Sequence, residues 1–191
     1  MELIFATNNP HKLREVSEML PPHIIIKSLA DIQCFEDIPE TGSTLSENAV
    51  QKAKYVSDKY HYDCFADDTG LEVEALNMQP GVFSARYAGN QKNPADNIEK
   101  LLLQMQGVTN RKARFRTVIA LSLQGKILLF EGTVNGSIIH TLKGEKGFGY
   151  DPVFVPDGYT HSFAEMSPQT KNKISHRALA FEKLIGFLST F

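Results

Sequence analysis

The chain opens on an apolar run, Leu3-Ile4-Phe5-Ala6, that is stopped by Thr7-Asn8-Asn9-Pro10. Leu13, Val16, Met19 and Leu20 then recur at helical spacing until Pro21-Pro22 breaks the pattern, and Ile24-Ile25-Ile26 is apolar again. A short buried strand, a one-faced helix and a second strand must cover one another's apolar surfaces. This order predicts an α/β protein in which helices pack on a sheet.

The rest of the chain continues the alternation. Thr44-Leu45-Ser46-Glu47 has the capping-box pattern, with Thr44 as N-cap and Glu47 three residues on. The helix it starts carries Leu45, Ala49, Ala53 and Val56 and is expected to run to about Tyr60. Cys64-Phe65-Ala66 reads as a strand ending at Asp67-Asp68-Thr69-Gly70, and Leu71 to Leu76 extends onward to a loop at Pro80-Gly81. Asn93 to Met105 reads as a helix through Ile98, Leu101, Leu102 and Met105. Thr117 to Leu123 and Ile127 to Val134 form a hairpin around Gln124-Gly125-Lys126. Ser175 is placed to cap a last helix with Leu179, Leu184 and Leu188 inward.

No repeat, low-complexity stretch or long linker interrupts the 191 residues, so 1–191 is read as a single domain. A formal net charge of -2 argues against a nucleic-acid polymer as the main partner, which would call for a basic excess. Cys34 and Cys64 are isolated, without metal-like spacing, and read as free thiols of a reducing compartment. The N-terminal apolar run is too short for a signal peptide, and no run approaches the roughly 20 residues of a membrane helix. A cytoplasmic protein with no membrane partner is expected.

Several segments have residues suited to chemistry. Thr7-Asn8-Asn9-Pro10-His11-Lys12 leads a strand into a helix start, where open backbone N–H groups and the helix dipole favour a phosphate. A capped turn satisfies the same residues. It is not a Walker A loop, since the glycines are missing. In Asp67-Asp68 only one carboxylate can face a given ligand, because neighbouring side chains on a strand point to opposite faces. Such a carboxylate can hold Mg²⁺ or take a proton from water, or it can belong to an Asp-rich turn. Glu40 adds an acid before the helix that carries Lys52, and Lys52 lies near the small-residue face of Ala49 and Ala53. A surface turn residue and a solvated lysine are the plain alternatives. Gly147-Phe148-Gly149-Tyr150-Asp151-Pro152 alternates glycine with aromatics, which suits either a stacked base or a bend in a strand. Lys171-Asn172-Lys173-Ile174-Ser175-His176-Arg177 puts cations at an expected helix start, where the dipole disfavours them unless an anion is present.

Taken together, these segments resemble the inosine triphosphate pyrophosphatase family over essentially the whole chain. The resemblance rests on seven blocks in order: Ala6 to Lys12, Glu40 to Ala53, Ala66 to Leu76, Pro80 to Gly89, Gly147 to Phe154, Phe163 to Met166 and Lys171 to Arg177. It implies a long curved mixed sheet flanked by helices that form two lobes, with a central substrate cleft. It also implies one Mg²⁺ per subunit, a nucleoside triphosphate substrate and a homodimer. Thr7, Asn8, Asn9, Pro10, His11 and Lys12 would hold the triphosphate, with Lys52 assisting. Glu40 and Asp68 would hold the metal, and Asp68 would be the general base. Thr69 stands where family members commonly have serine. Phe148, Gly149, Tyr150 and Asp151 would frame the base, and Lys171, His176 and Arg177 would close over base and phosphates.

Two departures stand out. Gln169-Thr170 precedes Lys171 where the family more often has an acid, which leaves the pairing of Lys171 open. Met78-Gln79 replaces smaller residues before Pro80. The implied reaction is hydrolysis of ITP, dITP or XTP to the monophosphate and pyrophosphate. Rival readings are a pyrophosphatase for modified pyrimidine nucleotides on a similar fold and a non-catalytic nucleotide-binding module.

Overall fold

The computed structural model describes residues 1–190. Among the described residues, strands and α-helices follow in the order β1 (Glu2–Phe5), α1 (Pro10–Met19), β2 (Ile25–Lys27), α2 (Leu45–Tyr60), β3 (Cys64–Val73), β4 (Gln79–Pro80), α3 (Pro94–Gln104), β5 (Lys112–Leu123), β6 (Lys126–Ile138), β7 (Phe154–Pro156), α4 (Pro168–Ile174) and α5 (His176–Leu188). The strands hydrogen-bond in the order β2-β1-β3-β5-β6-β7, with β4 added to β3. β1 pairs parallel with β2 and β3, whereas β4 on β3 and β7 on β6 are antiparallel, so the sheet is mixed as expected.

The chain forms two compact units. The first comprises Met1–Asp68, Thr117–Gly132 and Ala178–Phe191, and the second Thr69–Arg116 and Thr133–Arg177. The first unit packs Leu3, Phe5, Phe65, Ile119 and Leu121 from its strands against Val16, Phe181, Leu184 and Leu188 from its helices. Phe5 and Phe65 stack at 4.6 Å, and the ring of Phe181 meets both edge-on. The second unit buries Leu71, Val73, Ile98, Leu101, Met105, Phe115, Phe154 and Phe163. Each unit therefore has its own apolar core.

Local chemistry explains most boundaries. Thr44 Oγ1 accepts from the Glu47 N–H while Glu47 accepts from the Thr44 N–H, so both halves of the capping box form. Asn93 caps α3 ahead of Pro94. The hairpin forms as expected but is longer, and its turn places Gln124 and Gly125 at positive φ. Cys34 and Cys64 are both buried free thiols, and burial pushes the Cys64 thiol up to about 12.

Four expectations need correction. β3 does not end at Asp67: the strand runs through Asp67-Asp68-Thr69-Gly70 to Val73. Aspartate and glycine are poor strand formers, but here each carboxylate has a partner and Gly70 serves a close approach. A Cβ on Gly70 would lie 2.6 Å from the Gly81 carbonyl oxygen. Residues Glu74–Leu76 curl into a single 3₁₀ turn rather than extending. α4 is a separate short helix with Ser167 as N-cap, so Lys171 and Lys173 occupy the last turn of one helix instead of the start of another. The dipole favours cations there. In α5, Leu184 and Leu188 are buried as expected, whereas Leu179 is only half-buried and Ala180 and Phe181 take its place in the core.

Thr44→Ala removes one half of the capping box and is expected to lower stability by about 1 kcal/mol, with the unfolding midpoint falling by roughly 2–4 °C. Thermal unfolding followed by circular dichroism measures this, and an unchanged midpoint would show that the cap contributes nothing.

Candidate active site

In the first unit the charged residues are set by α1, α2 and β3. Lys52 lies on the buried face of α2 between Ala49 and Ala53, whose small side chains leave room for its stem. Its ammonium lies 2.5 Å from Glu40 Oε1 and 3.9 Å from Asp68 Oδ1. Asn48, one turn earlier on the same face, donates from Nδ2 to Asp68 Oδ2 at 3.0 Å and accepts the Gly42 N–H on Oδ1 at 2.8 Å. The neighbouring Asp67 is paired instead with Lys12 on α1 at 2.9 Å. The two adjacent carboxylates thus take different partners, as strand alternation requires.

Burial is the largest influence on both central groups. It pushes the Asp68 carboxyl above the usual carboxylate range, against the lowering pull of Lys52, Lys12 and Asn48, and the nearby Glu40 adds to the rise. For Lys52, burial alone would lower the pKa, but the charges of Asp68, Glu40 and Asp67 outweigh it and the ammonium is held above its usual value. Glu40, Asp67 and Asp68 thus lie close to the Lys52 and Lys12 ammonium groups.

That donor set fits Mg²⁺. Glu40 and Asp68 offer hard carboxylate oxygens converging on one cation, and Mg²⁺ is usually held by one or two carboxylates with phosphate and water completing the shell. Among the described residues no group of three or more His, Cys, Asp or Glu is arranged to hold a metal alone.

The Thr7–Lys12 segment is more closed than expected. Asn9 caps α1 by accepting the His11 N–H at 2.9 Å and the Lys12 N–H at 3.4 Å, and its own N–H donates to Thr7 Oγ1 at 3.2 Å. Pro10 has no N–H to offer. The first-turn amides are thus already engaged, which corrects the expectation of open donors. Asn8, Pro10 and His11 are exposed, and Thr7, Asn9 and Lys12 half-buried.

The second unit holds the other residues of interest. Gly147 has φ +76, and a Cβ there would run into the Asp151 side chain, so glycine is required. The freed space lets Asp151 Oδ2 accept the Phe148 N–H and the Lys171 ammonium, both at 2.8 Å. Lys171 is thus paired across 20 residues rather than locally. Its ammonium also lies 4.9 Å from the centre of the Phe148 ring, and the Arg177 guanidinium lies 5.5 Å from the same centre. His176 stacks on Phe115 at 4.6 Å. Lys171, His176, Arg177 and Asp151 are all buried, Phe148 and Gly149 are half-buried, and the buried Tyr150 donates its hydroxyl to the Ser84 carbonyl at 2.9 Å. The Tyr150 hydroxyl is thereby engaged within the protein. Thr69 is half-buried on β3.

Of the residues singled out in the sequence, Glu40, Lys52 and Asp68 come together in the first unit, with Lys12 joined to Asp67 beside them. Phe148, Asp151, Lys171 and Arg177 come together in the second. Asn48 and Asp67 were missed as partners. The signal for Asn48 was its spacing, four residues before Lys52 on one helix face.

The chain belongs to the Ham1 family, whose profile matches residues 3–187. A dITP/XTP pyrophosphatase of Christiangramia forsetii is 57% identical over 99% of this chain and 100% of the relative. One of Bacillus subtilis is 46% identical over 98% and 96%. A solved HAM1 protein from Coxiella burnetii superposes with a TM-score of 0.93 at 38% identity, covering 100% of both chains. The Staphylococcus aureus Ham1 protein gives 0.91 at 39%, covering 100% of this chain and 99% of its own. The seven-block resemblance holds at the level of the family, and the α/β mixed-sheet fold with it.

The raised Asp68 carboxyl has a consequence for stability. A folded-state pKa above the unfolded value means that the group favours folding while protonated and that this contribution is lost as pH rises through the folded value. Asp68→Asn is therefore expected to raise the unfolding temperature of the metal-free protein at neutral pH. The gain should fade below about pH 4, where the wild-type carboxyl is protonated in both states. Unfolding temperatures of the two proteins across pH test this, and a neutral-pH loss would contradict it.

Proposed function

We propose that the protein hydrolyses non-standard purine nucleoside triphosphates (ITP, dITP and XTP) to the nucleoside monophosphate and pyrophosphate, keeping these bases out of DNA and RNA. The names of its relatives support the reaction. The observation that carries the substrate class is the pair of hydrogen-bond donors beside Phe148, Lys171 and Arg177. The ammonium of Lys171 and the guanidinium of Arg177 can donate hydrogen bonds but accept none. A 6-oxo purine stacked at Phe148 presents an acceptor to such groups, whereas adenine presents an amino group that neither of them can accept. Each mispaired buried donor costs about 1–3 kcal/mol, so adenine would be rejected by at least one to two orders of magnitude.

In this reading Thr7, Asn8 and Lys12 bind the phosphates, with Lys52 assisting, and Glu40 and Asp68 hold one Mg²⁺ per subunit. The bound ion would supply charge neutralisation on the phosphate oxygens. Asp68 orients a water toward the α-phosphorus and takes its proton. The new bond joins the water oxygen to the α-phosphorus, the bond to the bridging oxygen breaks, and pyrophosphate leaves with the electron pair. A carboxyl raised by burial suits the base, because its proton affinity lies closer to the working pH than that of an exposed aspartate. Lys52 and Lys12 balance the charge that develops on the phosphates. Action on the free nucleotide pool of the cytoplasm, as a homodimer, completes the proposal.

The test is incubation with ITP, XTP, GTP and ATP in the presence of Mg²⁺, with products separated by chromatography. Monophosphate and pyrophosphate should form at least about tenfold faster from ITP and XTP than from ATP. Diphosphate with orthophosphate would overturn the reaction, and a preference for pyrimidine nucleotides would overturn the substrate class. Asp68→Asn is expected to lose turnover by about 10³-fold or more while remaining folded.

A further inference from the structure

Glu36 lies on the same stretch as Glu40 but outside the chemistry described above, and three groups on α2 converge on one of its oxygens. Glu36 Oε1 accepts from the Tyr55 hydroxyl at 2.9 Å, from the Tyr60 hydroxyl at 2.7 Å and from the Lys59 ammonium. Downstream, the same stretch is tied to earlier turns of α2. The Thr41 N–H donates to Gln51 Oε1 at 2.9 Å, the Gly42 N–H to Asn48 Oδ1 at 2.8 Å and the Ser43 N–H to Glu47 Oε2 at 2.6 Å. In chain order, residues 36, 40, 41, 42 and 43 therefore meet residues 55–60, 52, 51, 48 and 47. The segment is laid antiparallel along the helix, and Glu40 sits between the two sets of ties.

We propose that Glu36 is a positioning residue: with Tyr55, Lys59 and Tyr60 it fixes the register of residues 36–44 on α2, and thereby holds the Glu40 carboxylate beside Lys52 and Asp68. The proposal rests on Glu40 serving the metal as read above. Without Glu36 the stretch would lose these three hydrogen bonds upstream of Glu40, and the Glu40 carboxylate would lose ordering that a metal oxygen needs. The Lys59 hydrogen bond, then those of Tyr60 and Tyr55, hold the Glu36 carboxyl at about 2, so it remains an ionised acceptor at any working pH. Exposed ion pairs contribute little to global stability, so the loss of Glu36 would act on placement rather than on folding.

Glu36→Gln and the double variant Tyr55→Phe/Tyr60→Phe test this, with Glu36→Asp as the conservative control. In the metal-free variants, amide hydrogen exchange over residues 37–43 should quicken about tenfold, with the midpoint of global unfolding shifted little. The Mg²⁺ concentration for half-maximal hydrolysis should rise about tenfold in Glu36→Gln, less in the double variant, and be partly restored in Glu36→Asp. Unchanged exchange overturns the proposal, as does faster exchange with an unchanged Mg²⁺ requirement when Glu40→Gln does shift that requirement. If Glu40→Gln leaves the Mg²⁺ requirement unchanged, the metal role of Glu40 fails, and the exchange data alone decide whether Glu36 sets the register.

Discussion

Lys52 brings a positive charge into a buried position, and a buried ammonium without counter-charges would cost several kcal/mol. Its compensation organises the first unit. Glu40 must be carried to α2 by the stretch before Thr44, and Asp68 must stand on β3 where the strand passes that helix. Asn48 links both requirements by holding Asp68 with its amide and Gly42 with its carbonyl. Lys52 supplies a counter-charge that Glu40 and Asp68 share, and Asn48 a hydrogen bond to each of Asp68 and Gly42. The cluster is thus held by several interlocking contacts from α2, β3 and the stretch before Thr44.

The second unit solves a similar problem with different parts. Lys171 is also buried, and its counter-charge, Asp151, comes from a glycine-containing turn rather than a strand. The aromatic rings of Phe148 and Phe163 face the same ammonium, at 4.9 and 5.8 Å. Whereas the first unit concentrates carboxylate oxygens, the second concentrates hydrogen-bond donors around an apolar ring. This division follows from side-chain type, and it holds for each unit taken by itself.

Much of the fold was legible because it depends on short-range rules. The capping box at Thr44, the Asn93-Pro94 start of α3 and the turn at Gln124-Gly125 are each decided within a few residues. The errors occurred where distant partners override local preference. Asp67-Asp68 reads as a strand end because ionised carboxylates are poor strand residues. The strand continues because Lys12 and Lys52, from two different helices, offset their charges. α4 escaped notice because its seven residues have no apolar periodicity, although Ser167-Pro168 is a fair start signal.

The candidate site divides in the same way. The types and spacing of Glu40, Lys52, Asp68, Phe148, Lys171 and Arg177 are matters of sequence, and with the order of the seven blocks they determined the family. Pairing is not, because an ion pair is chosen by distance in space. Nothing in the sequence assigns Lys12 to Asp67 across 55 residues, or Lys171 to Asp151 across 20. Nor does it show that Asn9 has already taken the first-turn amides of α1, or that Tyr150 is spent on a core hydrogen bond. Local sequence specifies which groups are present and which backbone conformation carries them. Only packing decides which charges are buried together, and so that the Asp68 carboxyl is the one whose pKa burial raises.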